Sequence, residues 1–68
     1  MNDIKQFQIY ETLTKERFVI TKTNDTFVWF LYEDGLTGIC QPHQILEKHI
    51  ASYPDLLSAI TSKDFHIK

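Results

Sequence analysis

Cys40, His43, His49 and His66 are the residues whose types could support metal or nucleophilic chemistry. Cys40-x-x-His43, with two further histidines downstream, offers the donor set of a structural zinc site. Such a site needs four ligands in tetrahedral reach, usually as two tight pairs. Here no second tight pair exists, and His43 and His49 fall on different sides of one predicted helix. The expectation is therefore no metal and no cofactor, with Cys40 a buried thiol and the histidines at the surface or at a helix end. Read instead as nucleophile and base, Cys40 and His43 would need an accessible, electropositive setting and a pocket with converging polar groups. The hairpin register derived below turns Cys40 toward Trp29 in the core, so the chain reads as non-catalytic.

Aromatic residues supply a second chemistry. Val28, Phe30 and Tyr32 on an open sheet face would give bases something to stack on, and Lys15, Arg17 and Lys22 lie near that sheet. Against this stand a net charge of −2, a pI near 5.8 and acidic residues scattered without a block. No backbone-tracking positive groove follows from such a distribution. A helix-turn-helix over His43–Ile60 fails similarly, because Asp55-Leu-Leu-Ser-Ala-Ile-Thr carries no arginine or lysine for base edges or phosphates. A nucleic-acid-associated regulator using the aromatic sheet face is the alternative reading.

The elements that position these groups follow from periodicity. Between Ile4 and Tyr10, Phe7 and Ile9 alternate with Gln6, Gln8 and Tyr10, which predicts a half-buried strand; Ile4, Phe7, Tyr10 and Leu13 offer a competing helical spacing. Thr12–Lys15 is a connection. Arg17–Thr23 and Thr26–Glu33 read as strands about the turn residues Asn24-Asp25, and Asp34-Gly35 is a strong hairpin signal before a shorter strand over Leu36–Gln41. Pro42 suits a first helical turn, and Ile45, Leu46, His49 and Ile50 place one helix over His43–Ala51. Ser52 would cap a second helix carrying Leu56, Leu57 and Ile60, with Asp55 near its start. Phe65 and Ile67 alternate with His66 and Lys68, the pattern of a short edge strand or a frayed end. The predicted fold class is α+β, an antiparallel meander of three to four strands with two short C-terminal helices packed on one face. A single domain covers residues 1–68, strand-rich over 4–41, helical over 42–62, with a tail at 63–68.

Two-residue loops at Asn24-Asp25 and Asp34-Gly35 set the expected faces. One face holds Phe18, Ile20, Phe27, Trp29, Leu31 and Cys40, with Phe7 and Ile9, and receives the helices. The other aligns Val19, Phe30 and Ile39 across three strands, beside Val28 and Tyr32, with Arg17, Thr21, Thr37 and Gln41 around them. An apolar stripe with a polar rim has the composition of an interface core. The predicted protein-interface residues are Val19, Val28, Phe30, Tyr32, Ile39 and Arg17.

At 68 residues, with hydrophobic residues at 43%, charged residues at 24% and one cysteine, the chain is a small globular domain that forms no internal disulfide. Burial in so short a chain is limited, and a partner or a second copy is a usual remedy. The N-terminal segment Met1–Lys5 lacks a secretion signal, and no apolar stretch approaches the roughly 20 residues of a membrane-spanning helix. A cytoplasmic location is expected. The expected function is non-catalytic protein binding, as a regulator or inhibitor acting through the apolar sheet face or by homodimerisation. Its size and sparse chemistry suit a protein carried by a phage or other mobile element. Its expected partner is another protein or a second copy, with no small-molecule substrate and no membrane.

Overall fold

The computed structural model describes residues 4–68; Met1–Asp3, part of the segment read for a secretion signal, lie outside the described residues. Five strands form one antiparallel sheet: β1 (Gln8–Glu11), β2 (Arg17–Thr23), β3 (Val28–Tyr32), β4 (Thr37–Cys40) and β5 (Lys48–Ser52). Their spatial order is β4-β3-β2-β1-β5. A single 3₁₀ turn, Pro42–Gln44, separates β4 from β5, and one short helix, α1 (Leu56–Ile60), follows. The protein is thus mostly β, with five strands and one helix where three to four strands and two helices were expected. Of the strand read over Ile4–Tyr10, Gln8–Tyr10 falls within β1, while Phe7 before it takes φ +69 and residues 4–7 are not strand.

The first predicted helix gives way to β5 for a non-local reason. Ile45 joins the cluster on one side of the sheet and Ile50 the cluster on the other. A helix would hold these residues on one stripe; an extended chain buries both and pairs with β1. Leu46, assigned to the helical stripe, is left 87% exposed. The second helix survives in shortened form. Its cap is Asp55 rather than Ser52: the Asp55 carboxylate accepts from the Ser58 amide at 2.7 Å, which holds that carboxyl below its ordinary pKa.

Both hairpins depart from the expected register, and β3 is the strand that turns over. The first turn closes between Asn24 and Phe27, with the Asn24 side chain accepting from the Thr26 and Phe27 amides at 2.8 and 2.7 Å. The loop is Asp25-Thr26, and the parity of the strands at its base is the expected one. A bulge at Thr21 then shifts the pairing by one residue, so that Ile20 opposes Phe30, Val19 opposes Leu31 and Phe18 opposes Tyr32. In the second turn Tyr32 closes on Leu36 around three residues, Glu33-Asp34-Gly35, not two. Gly35 takes φ +93, the left-handed position such a loop needs. Phe30 consequently opposes Gly38, and Trp29 opposes Ile39.

Two clusters flank the sheet. On the helix side, Ile9 and Val19 pack with Ala59 and Phe65, joined by Leu31, Ile50, Ala51, Leu56 and Ile60. On the aromatic side, Tyr10, Phe18, Ile20 and Val28 pack with Ile4, Phe30, Tyr32 and Ile45. The helix therefore lies on the side of Phe7, Ile9 and Leu31, as expected for those residues, but β2 turns Val19 toward it in place of Phe18 and Ile20. Phe65 is 1% exposed, so the tail neither pairs as a strand nor frays. Arg17 clamps it: Nε donates to Glu11 at 3.1 Å and Nη1 donates to the Asp64 carbonyl at 2.9 Å. Further on, the amides of His66 and Lys68 donate to the Glu33 carboxylate and carbonyl, both at 2.7 Å. Full burial of side chains such as Phe65 and Val19 stabilises by about 1.5–3 kcal/mol each.

Candidate functional site

The turned-over β3 redistributes the predicted interface residues. Val19 and Val28 are fully buried, on opposite sides of the sheet. Phe30 and Tyr32 are half-buried in the aromatic cluster. Arg17 is engaged by Glu11 and the tail rather than rimming a binding face. Of the six, Ile39 alone is exposed, at 53%. The expected stripe across Val19, Phe30 and Ile39 is therefore not formed.

What the bulge and the longer turn produce instead is a stripe on the helix side, running Val19–Leu31 and then Trp29–Ile39. Its first half is covered by α1 and the tail. Its second half is bare. Trp29, expected in the core, is half-buried, and Phe27 beside it is 39% exposed, their rings meeting edge-on at 6.1 Å. On β2, opposite Trp29, Lys22 sets its Nζ 4.9 Å from the indole centre, a cation–π contact. A shallow open depression bordered by Thr21, Trp29, Phe30, Thr37, Gly38 and Ile39 lies alongside.

This surface adjoins a strand edge. Among the described strands none lies beyond β4. Tyr32 N–H donates to the Leu36 carbonyl at 2.7 Å, which makes Leu36 a hydrogen-bonded partner of β3. Antiparallel alternation then assigns Gly38 and Cys40 to β3 and turns the N–H and C=O of Thr37 and Ile39 outward. Gly38 is required here by close approach: a Cβ at this position would meet the Phe30 ring at 2.5 Å. The ring fills the aromatic side of β4 and leaves its other side to Thr37 and Ile39.

The residues singled out for chemistry do not converge. His43, His49 and His66 are exposed, and the His49 Nε2 is committed 2.9 Å from the Ala51 carbonyl and the Ser52 hydroxyl. Among the described residues no three metal-ligating side chains come together. Cys40 is half-buried on the aromatic side, opposite Val28 rather than Trp29. Burial pushes its thiol pKa up, and the Glu47 carboxylate adds to the shift. Burial likewise raises Tyr32, with Glu47 and Glu16 contributing. Both shifts favour the protonated, weakly nucleophilic form.

Lys22 lies near the sheet as expected, whereas Phe27 and Trp29, expected in the core, are the surface residues that the sequence did not disclose. One signal for them was present. A lone glycine inside a strand pattern marks a close approach, and Gly38 opposite an aromatic is satisfied only when Phe30, not Leu31, faces it. Among the described residues no helix is long and apolar enough to cross a membrane. No protein-family model, no curated protein and no solved structure matches this chain.

Proposed function

We propose that this chain is a non-catalytic protein-binding module, a regulator or inhibitor that engages another polypeptide along β4 and the Phe27–Trp29–Ile39 surface. The observation that supports it is the coincidence of an unpaired strand edge with exposed apolar side chains on one flank. Strand addition uses both: backbone groups supply affinity, and alternate side chains supply selectivity. The outward groups of Thr37 and Ile39 meet the first need, and Trp29 with Ile39 meets the second. A cytoplasmic setting, and a phage or mobile-element origin, belong to the same reading; a lone thiol fits a reducing compartment.

Affinity capture from the source cell tests it. Tagged wild type is compared with Ile39→Asp and with Leu46→Asp, a charge placed at another exposed apolar site. Circular dichroism checks that each variant is folded. Wild type and Leu46→Asp should retain a common partner that Ile39→Asp loses; equal retention by all three refutes the reading. The Lys22–Trp29 pair also resembles the aromatic–cation platforms on which single-stranded nucleic acid stacks. Saturable, salt-sensitive quenching of Trp29 by a single-stranded oligonucleotide would assign the surface to nucleic acid instead.

A further inference from the structure

The two edges of the sheet are unlike, and the difference points to what β4 pairs with. Edge strands of monomers are commonly guarded by charged residues, proline or bulges. At β5 such guards are present: Glu47 precedes the strand and Lys48 opens it, a register shift interrupts its pairing with β1, and His49 Nε2 lies 2.9 Å from the Ala51 carbonyl. At β4 they are missing. From Gly35 to Leu46 there is no Asp, Glu, Lys or Arg, in a chain that otherwise carries charges along its length. Proline enters only at Pro42, beyond the last residue of the strand.

An uncharged edge has a particular meaning under symmetry. An antiparallel two-fold contact sets the residue on the axis against its own copy, so a charge there would face its like. A strand that received a foreign peptide would be under no such constraint and would gain selectivity from charge. The side chains fit as well. With Ile39 opposite its counterpart, apolar meets apolar, and Thr37 falls opposite Gln41 of the second copy, polar against polar. The backbone parity agrees at Ile39 and Thr37, whose N–H and C=O face outward; pairing Thr37 with Gln41 also requires Gln41 to give up its bonds to Gln44, its N–H to Oε1 at 2.8 Å and its C=O from the Gln44 N–H at 2.9 Å.

We propose that β4 pairs antiparallel with β4 of a second copy of this chain across a two-fold axis, with Ile39 opposite its counterpart. The two sheets join into one of ten strands. The exposed Trp29–Ile39 surfaces of both copies become continuous on the helix side. This assignment rests on the reading of β4 as the binding edge and names its occupant.

A charge-swap experiment tests it, using the intact chain. Mass is followed by light scattering over a wide concentration series, and Trp29, the only tryptophan, reports burial through a shift of its emission to shorter wavelength. Wild type should be dimeric at high concentration. Ile39→Lys and Ile39→Asp should each weaken the dimer about tenfold or more, because a like charge then faces itself. Mixing the two variants should restore dimers. Ile39 is 53% exposed in the single chain, so neither substitution should unfold it, and circular dichroism checks this. A wild type that stays monomeric throughout overturns the proposal, as do variants that still dimerise alone or a mixture that stays monomeric. Should wild type be monomeric while Ile39→Asp still abolishes capture of another protein, the second copy is excluded and the binding reading stands. Loss of neither property on that substitution removes both.

Discussion

Replacing Gly38 with alanine should destabilise the fold, and it should do so only while Phe30 is present. An added Cβ would lie 2.5 Å from both Cε1 and Cζ of Phe30. Carbon contacts relax at about 3.5–4.0 Å, so the ring must retreat by about 1 Å. Its retreat is obstructed, because the ring sits 5.0 Å from the Phe18 centroid and 5.6 Å from that of Tyr32. Overpacking of this kind costs about 1–3 kcal/mol. Loss of glycine's freedom in a strand returns about 0.5–1 kcal/mol. The net expectation is a loss of about 1–2 kcal/mol, which in a domain of this size lowers Tm by about 5–15 °C. Urea unfolding followed by Trp29 emission measures it as a midpoint lowered at constant slope. In a Phe30→Val background the obstruction is gone, and Gly38→Ala should be neutral or stabilising by about 0.5–1 kcal/mol. This sign change separates the two registers. Were Phe30 opposite Ile39, as two-residue turns require, Gly38 would face Leu31 and the backgrounds would behave alike. A midpoint raised by Gly38→Ala in both backgrounds would refute the observed pairing.

Two further outcomes follow from the tail and from the thiol. Phe65→Ala should cost about 3–5 kcal/mol, because a fully buried ring is removed from the cluster around Val19 and Ile9; a urea midpoint close to wild type would show that the tail does not hold the helix side together. Cys40 should react with a disulfide reagent at pH 7 more slowly than the same thiol in the urea-unfolded chain, its rate should keep rising with pH beyond the point where an ordinary thiol levels off, and Glu47→Gln should speed it at a fixed alkaline pH. The sign is that of a raised native pKa: the folded state holds the proton more tightly, so any attached stability is complete below the ordinary thiol value and is lost as pH rises through the folded one. A rate at pH 7 equal to that of the urea-unfolded chain would contradict this environment for the thiol.

Much of the architecture was legible locally. Alternation over Gln8–Tyr10, the run Arg17–Thr23, the Val28–Tyr32 part of Thr26–Glu33, and the turn residues Asn24, Asp34 and Gly35 all mark features that are present. So does the helical stripe of Leu56 and Ile60, although Asp55 rather than Ser52 caps it. In each case the deciding interactions lie within a few residues. Asn24 accepts from the amides two and three positions on, and Gly35 supplies a backbone angle that other residues resist. The segment Pro42–Ser52 was not legible in this way. Its spacing fits a helix, but pairing with β1, some forty residues away in sequence, outweighs that local preference.

The candidate site shows the same division more sharply. From the sequence alone, the residues that share a face within β3 and within β4 were determined, because side chains alternate with a period of two along an unbroken strand. Val19 and Ile39 even share a side, as expected, since the bulge at Thr21 and the third residue of the Glu33-Asp34-Gly35 loop each reverse the phase and cancel across β3. What only the tertiary structure decided was the phase of β3 itself. One residue of slip exchanges Trp29 for Phe30 on every surface β3 contributes to. That slip is settled by Phe30 fitting over Gly38, by the aromatic cluster around Phe18 and by the tail closing on Val19. These are contacts between distant parts of the chain, and a strand's own sequence holds no record of its neighbour's phase.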